Sequence, residues 1–252
     1  MSGYKTVDTH SHIDEIENLE EALEEAASSG VIGIVGVGMT LEGNRFILEK
    51  ASQHENFVLP AIGLHPWYLS NADYEACLSF IRENLKRCVA LGEVGLDYKT
   101  KTTKALQQEV FQRLLDIASE FEKPVIVHAR YSHKRCYEMI LKNGIKKAVF
   151  HWYSGPLDIL EKIVADGYFV SATPALTYSQ QHRVCIKEAA LENILVETDS
   201  PVEYQGLVSR PVHIHKTLQE LAKLKEMDIT QVAEKTLKNA ENFLGIKFAG
   251  VR

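Results

Sequence analysis

Short apolar runs rich in β-branched residues recur along the chain and alternate with longer segments of helical periodicity. Eight such runs are present: Tyr4–Asp8, Val31–Gly38, Phe57–Leu64, about Cys88 to Asp97, Pro124–Arg130, Lys147–Trp152, Tyr168–Thr173 and Ile194–Asp199. Runs that are apolar along their whole length are typical of strands buried on both faces, as in parallel sheets. The pattern therefore predicts eight parallel strands.

Between the runs, apolar residues return every three or four positions, which indicates amphipathic helices. Helices are predicted over Glu15–Ser29, Leu41–His54, Ala105–Glu122, Pro156–Ala165, Ser179–Leu191, His213–Lys225 and about Thr230 to Leu244. Thr40 is a candidate N-cap, because its hydroxyl can accept a hydrogen bond from the first turn of the second helix. Gly30 and Gly245 follow the first and last helices, where glycine commonly ends a helix.

Alternation of strand and helix, repeated eight times, is the signature of a (β/α)8 barrel. The chain has 252 residues, a length that suits one such barrel. It contains no internal repeat and no linker rich in Pro, Gly or Ser. We therefore predict an α/β fold, a single (β/α)8 TIM barrel domain that spans residues 1–252.

Composition and charge restrict the classes of protein and partner. Hydrophobic residues make up 45% and charged residues 25% of the chain, and the formal net charge is −6. These values are ordinary for a soluble globular protein and leave no broad basic surface for nucleic acid or anionic membrane. Any polyanion must therefore be attracted locally, by a few side chains or by bound metal.

The cysteines and the apolar segments bear on the cellular compartment. Cys77, Cys88, Cys136 and Cys185 form no CxxC pair, so we expect small buried residues in a reducing compartment. No apolar run approaches the roughly 18 residues of a membrane span, and no leader-like segment opens the sequence. We expect a cytoplasmic protein.

Polar residues that can bind metal close five of the eight predicted strands. They are His10, His12, Glu93, His128, His151 and Asp199. In barrels of this type the C-terminal ends of the strands surround the active site. His10 and His12 stand two apart on a strand and should therefore face the same side. Because four imidazoles and two carboxylates exceed the needs of one tetrahedral ion, two divalent ions joined by a bridging carboxylate would use them all.

The remaining histidines have simpler interpretations. His213 and His215 form a second His-x-His pair, but residues two apart on a helix do not share a face, so we expect a structural or peripheral role. His54, His133 and His182 lie in polar helical stretches and are expected to be solvated. Any single histidine or acid of the metal set is more often structural, and Glu93 or Asp97 alone could cap a helix. The hypothesis depends on the whole set.

Four motifs resemble the TatD family of metal-dependent deoxyribonucleases, within the metallo-dependent hydrolase superfamily. They are Asp8-Thr9-His10-Ser11-His12, Gly92-Glu93-Val94-Gly95-Leu96-Asp97, His151-Trp152-Tyr153-Ser154-Gly155 and Glu197-Thr198-Asp199-Ser200-Pro201. The similarity extends over nearly the whole chain. It includes Gly-Leu-His-Pro-Trp at 63–67, the segment from Gln108 to Arg130, and Asn239-Ala240 near the end.

The resemblance implies roles for individual residues. It makes His10, His12, Glu93, His128, His151 and Asp199 the ligands, with Glu93 as the bridge where phosphotriesterase-like relatives use a carbamylated lysine. His65 resembles the family's phosphate-contacting histidine, and Arg130 is a second candidate for that task. Two segments depart from the family pattern and bear on substrate preference. Trp152-Tyr153 stands where Cys-Phe is usual, and Ser209-Arg210-Pro211 where Asn-x-Pro is usual.

The resulting hypothesis is hydrolysis of a phosphodiester by a binuclear centre of Zn, Mn or Mg. Asp199 would orient and deprotonate the water, while Glu93 supports the metals. A narrow barrel mouth favours a frayed or single-stranded 3′ end of DNA, so we expect a 3′–5′ exodeoxyribonuclease. One alternative is a metal-dependent hydrolase of an amide, lactone or aminoacyl ester, because fold does not determine function. Another is a non-catalytic barrel that binds nucleic acid or protein.

Overall fold

A computed structural model describes residues 3–70 and 73–248 of the chain. Eight parallel strands pair in the order of the sequence and form one sheet. The strands are β1 (Thr6–Ser11), β2 (Val31–Val37), β3 (Val58–Leu64), β4 (Ala90–Asp97), β5 (Val125–Arg130), β6 (Ala148–Phe150), β7 (Phe169–Ala172) and β8 (Ile194–Val196). A short hairpin, β9 (Glu203–Tyr204) and β10 (Leu207–Val208), follows β8.

Helices occupy the connections between consecutive strands. They are α1 (Leu19–Ser29), α2 (Leu41–Gln53), α3 (Tyr74–Asn84), α4 (Lys104–Glu120), α5 (His133–Lys142), α6 (Leu157–Ala165), α7 (Gln180–Glu188), α8 (Ile214–Lys225) and α9 (Ile229–Leu244). The predicted ends of several helices are confirmed. The Thr40 hydroxyl accepts a hydrogen bond from Gly43 N at 3.0 Å, and Gly30 and Gly245 take left-handed φ values of 103° and 69°.

The sheet closes where β1 meets the segment that follows β8. Asp199 N donates to His10 O at 3.0 Å, and His12 N donates to Ser200 O at 2.7 Å. Asp8 supports this seam, since its carboxylate accepts hydrogen bonds from Thr198 N and Thr198 Oγ1. The predicted (β/α)8 TIM barrel is therefore confirmed, and its closure brings the end of β1 against Asp199.

The barrel is filled at the end where the strands begin. Ala90 and Phe169, the first residues of β4 and β7, belong to an apolar cluster that also contains Phe243 and Leu244 of α9. A larger cluster packs the surrounding helices against the outside of the sheet. Because apolar side chains fill the N-terminal end, the opposite end of the barrel is the one available for polar chemistry.

The structure differs from the sequence-based expectations in several details. The helices α3 and α5 are absent from the predicted set; they are short, with 11 and 10 residues, and only three side chains on each are buried. The strands β6 and β8 are shorter than predicted, since their last residues turn into loops. The expectation that His182 is solvated is wrong: the residue is buried, and its Nδ1 donates to Tyr153 O at 2.8 Å.

Two further expectations can be compared with the structure. All four cysteines are buried and free, as predicted. Within the described part of the chain, none of the helices combines the length and apolarity that crossing a bilayer requires.

Candidate functional site

The strand-end residues predicted to bind metal converge at the C-terminal mouth of the barrel. His10, His12, Glu93 and Asp199 are all buried there, while His128 and His151 are half-buried. Strands β1, β4 and β5 and the segments after β6 and β8 each supply at least one of them. Residues separated by up to 189 positions therefore meet in one cluster, in the arrangement that the sequence predicted.

His10, His12 and Asp199, which we call the first ligand group, lie together, and the two imidazoles face one oxygen of Glu93. The two Nε2 atoms of His10 and His12 lie 3.2 Å apart, and they are 3.4 and 3.3 Å from Glu93 Oε2. Asp199 Oδ1 lies 3.5 and 3.4 Å from the same two nitrogens. Four ligands at about 2.0–2.1 Å from a tetrahedral ion stand about 3.3–3.4 Å apart. The His10 and His12 nitrogens thus lie at the spacing that such an ion requires from each other, from Glu93 and from Asp199.

His128 and His151, the second ligand group, approach the other oxygen of Glu93. His128 Nδ1 and His151 Nε2 each lie 2.8 Å from Glu93 Oε1, and they are 3.5 Å from each other. His65 Nε2 is also near, at 3.4 Å from Glu93 Oε1. The two oxygens of Glu93 are therefore divided between two groups of donors, which is the geometry of a bridging carboxylate.

In three of the histidines, the hydrogen-bond partner of one ring nitrogen leaves the other ring nitrogen free to bind a metal. A carbonyl or carboxylate only accepts, so the ring nitrogen facing it carries the proton. His12 Nδ1 faces Val37 O at 3.0 Å, and His151 Nδ1 faces Glu197 Oε1 at 3.3 Å. His128 has the reverse orientation, with Nε2 at 3.3 Å from Asp97 Oδ2. In each ring the lone pair then lies on the nitrogen that faces Glu93.

His65 differs from these three histidines because its N–H group, and not its lone pair, faces Glu93. Its Nδ1 accepts a hydrogen bond from Trp67 N at 3.2 Å, so the proton of the neutral ring lies on Nε2. Burial lowers the pKa of His65 to about 4, which makes the ring neutral near pH 7. Although His65 belongs to a set that could hold a metal with Glu93 and His128, it presents an N–H donor to the site. That donor suits an oxygen atom of a bound phosphate better than it suits a metal ion.

The charges of the cluster are strongly coupled. Burial alone would raise the pKa of Glu93, but the histidines around it, His151 foremost, hold it well below its usual value. Burial would also raise the pKa of Asp199, but the hydrogen bond from His12 and the charges of nearby imidazoles outweigh burial and lower it. The pKa values of His12 and His151 are raised well above normal, since nearby carboxylates outweigh burial. Without metal, positively charged imidazolium groups therefore neutralise the anionic carboxylates. Bound divalent ions would supply that positive charge instead.

Two buried carboxylates orient the second ligand group, and sequence reasoning gave neither of them a role. Asp97 Oδ2 faces His128 and accepts a hydrogen bond from Trp67 Nε1 at 2.6 Å. Glu197 Oε1 faces His151 and accepts one from Trp152 N at 3.0 Å. Both acids lie in the same strand-end motifs as a candidate ligand, Asp97 with Glu93 and Glu197 with Asp199. A second acid in such a motif is the sequence signal that could have identified them. Such outer partners fix the ring orientation and tautomer of metal-binding histidines.

Arg130 lies at the rim of the cluster. Its side chain is 52% exposed, and Nη1 is 4.0 Å from Asp97 Oδ2. His213 and His215 lie elsewhere: His213 Nδ1 accepts from Arg210 N, and His215 contacts the hydroxyls of Tyr4 and Ser29. The structure thus separates the second His-x-His pair from the cluster, in agreement with the expected peripheral position.

Comparison with known proteins assigns the chain to a family. The family model of TatD-related DNases matches residues 7–245. The chain belongs to this family. It is 31% identical to an uncharacterized metal-dependent hydrolase of Methanocaldococcus jannaschii, over 96% of this chain and 98% of that protein. It is 28% identical to the human deoxyribonuclease TATDN3, over 95% of this chain and 94% of that protein.

A solved structure agrees with this assignment. The crystal structure of a TatD homologue from Escherichia coli superposes with a TM-score of 0.88 at 26% identity, covering 96% of this chain and 98% of that one. The TatD-like barrel and the family that the strand-end motifs resemble are both confirmed. The protein is accordingly a hydrolytic enzyme of the TatD family.

Proposed function

We propose that this protein hydrolyses phosphodiester bonds of DNA and removes nucleotides from single-stranded 3′ ends, with a pair of divalent ions bound at the barrel mouth. The observation that carries the proposal is the division of the two Glu93 oxygens between two groups of donors at 2.8–3.4 Å. Membership of the TatD-related DNase family and the deoxyribonuclease name of the human relative support DNA as substrate.

The donor set fits divalent ions. His10, His12 and Asp199 would hold one ion and His128 and His151 the other, with Glu93 shared between them. When bound, the ions would lower the pKa of water and offset negative charge on the phosphate. Imidazole with carboxylate suits Zn and other late transition ions, whereas carboxylate with phosphate also suits Mn or Mg.

Residues of the chain itself supply the remaining parts of the reaction. Asp199 is ionised and lies in the first ligand group, where it can accept the proton of the attacking water. His65 donates from Nε2 to a non-bridging phosphate oxygen. Arg130, at the rim, offers a guanidinium that can bind a second phosphate oxygen and offset its charge.

The test is cleavage of single-stranded DNA labelled at either the 5′ or the 3′ end, with and without EDTA. We expect stepwise shortening from the 3′ end that EDTA abolishes and that Asp199→Asn strongly reduces. An exposed acid far from the mouth provides the matched control, Glu122→Gln, which should cleave normally. Undiminished cleavage by Asp199→Asn would contradict the assignment. Turnover of amides, lactones or aminoacyl esters in the absence of DNA cleavage would favour the alternative hydrolase.

A further inference from the structure

A groove of about 690 Å³ opens beside the metal cluster, between the loops that follow β5 and β6. One wall contains Arg130 and Tyr131, two and three residues after the candidate ligand His128 along the chain. The other wall contains Ser154 and Gly155, which follow the candidate ligand His151. Arg130 connects this groove to the cluster, since its Nη1 lies 4.0 Å from the Asp97 carboxylate that faces His128. The volume of the groove falls in the range that holds one drug-sized ligand.

Positive charge is concentrated in this groove, although the chain as a whole carries −6. Arg130, Lys134 and Arg135 line it, and Glu138 is the one carboxylate among the described lining residues. Lys134 Nζ and Arg135 Nη1 lie 4.0 and 3.8 Å from that carboxylate, so it balances only part of their charge. A polyanion would therefore be attracted locally to this groove, although the chain as a whole is acidic.

An exposed aromatic ring stands among these cations. The Tyr131 side chain is 69% exposed, and Lys99 Nζ lies 5.4 Å from the ring centroid. The backbone of Tyr131 takes a left-handed φ of 56° and is held by its neighbours on both sides. Arg130 O accepts from Tyr98 N at 2.9 Å, and Ser132 Oγ donates to Leu96 O at 2.6 Å. A fixed, solvent-facing ring is a platform on which a planar base can stack.

We propose that this groove binds the single-stranded polynucleotide on the 5′ side of the scissile phosphate, with one base stacked on Tyr131 and backbone phosphates bound by Lys134 and Arg135. The inference rests on the proposed nuclease function and names the part of the site that holds the strand. Aromatic platforms combined with basic grooves are how proteins bind single strands without reading sequence. The groove would therefore make the enzyme prefer longer strands, with little base specificity.

The test compares a 12-nucleotide single strand with a dinucleotide, which is too short to reach the groove. We expect Tyr131→Ala to reduce the preference for the 12-mer, as the ratio of kcat/KM values, by about 10-fold. Tyr131→Phe keeps the ring and should restore the preference. The double variant Lys134→Ala/Arg135→Ala should make log kcat/KM less dependent on log salt, by about 0.7 for each phosphate that is no longer neutralised.

Controls and contrary outcomes separate this inference from the proposed function. Lys146→Ala and Lys223→Ala remove exposed cations on other faces and should leave the preference unchanged. Normal 12-mer cleavage that is insensitive to the Tyr131 and Lys134/Arg135 variants overturns the groove assignment alone. So does an equal loss on both substrates, because that places the effect at the metal cluster. A wild-type protein that cleaves no oligonucleotide overturns the proposed function, and the groove assignment with it.

Discussion

The two ligand groups of the candidate metal centre share Glu93 but are held in different ways. In the first group, His12 is oriented by a main-chain carbonyl, and His10 and Asp199 are joined through the backbone of the barrel seam. In the second group, His128 and His151 are each oriented by a side-chain carboxylate. The His10 side chain is fully buried, whereas His128 is 13% exposed. The first group is thus built into the barrel seam, whereas the second includes the most exposed of the candidate ligands.

Because of this difference, we expect the two proposed ions to exchange at different rates. The first group includes the fully buried His10 imidazole, so the first ion should be retained firmly. The second group includes His128, which is 13% exposed, so water and chelators should reach the second ion more easily. The groove that we propose for the strand is formed by the loops after β5 and β6, so the more exchangeable ion would lie on the side of the incoming strand.

The largest effect is expected from Glu93→Ala, because this side chain serves both groups. Both ions should be lost, and the initial rate on single-stranded DNA should fall by more than about 100-fold, beyond what loss of an outer-shell partner costs. Elemental analysis and the rate assay measure the two effects. A Glu93→Ala protein that retains its full metal content would show that the two groups are independent.

Single-ligand variants should separate the two groups. We expect His12→Ala and His151→Ala each to lower the bound metal from two equivalents to one. The ion that remains in His151→Ala lies in the more buried group, so EDTA should remove it more slowly than the ion that remains in His12→Ala. Equal removal rates would break the comparison between a firm and an exchangeable ion.

Changing the orienting carboxylates should affect the second group alone. Asp97→Asn and Glu197→Gln keep the size of the side chain but remove the charge that faces His128 or His151. We expect metal affinity at the second group to weaken by about 10–100-fold, with the first group unaffected. Calorimetric titration resolves the two affinities. If the tighter site is weakened instead, Asp97 and Glu197 affect both ligand groups and not the second group alone.

Acidification should weaken metal binding at both ligand groups, so the two groups should not differ in the direction of their pH dependence. The pKa values of His12 and His151 are raised well above normal, because neighbouring carboxylates outweigh burial. Below those raised pKa values the imidazoles are protonated, so an ion must displace the protons in order to bind. Affinity should therefore rise with pH until the histidines are neutral, by about tenfold per pH unit for each proton displaced. Titrations in buffers of different ionisation enthalpy count the protons released.

Much of the fold and of the candidate site could be predicted from local sequence signals. Apolar runs located all eight strands, since a strand buried on both faces needs apolar residues throughout. The periodicity of α4 extends over 17 residues with seven buried side chains, whereas α3 and α5 have 11 and 10 residues and three buried side chains each, so their signal is shorter. The metal set was visible because the ends of parallel strands must meet at one rim.

The sequence by itself determined the order of strands and helices, the family, and which imidazoles and carboxylates close the strands. Only the tertiary structure decided which nitrogen of each histidine is free, because that depends on partners such as Val37, Asp97 and Glu197 far along the chain. It also decided that His182 is buried and that Tyr131 stands exposed in a basic groove. Periodicity and composition are short-range properties, whereas burial, proton position and the shape of a groove arise from segments that meet only when the barrel closes.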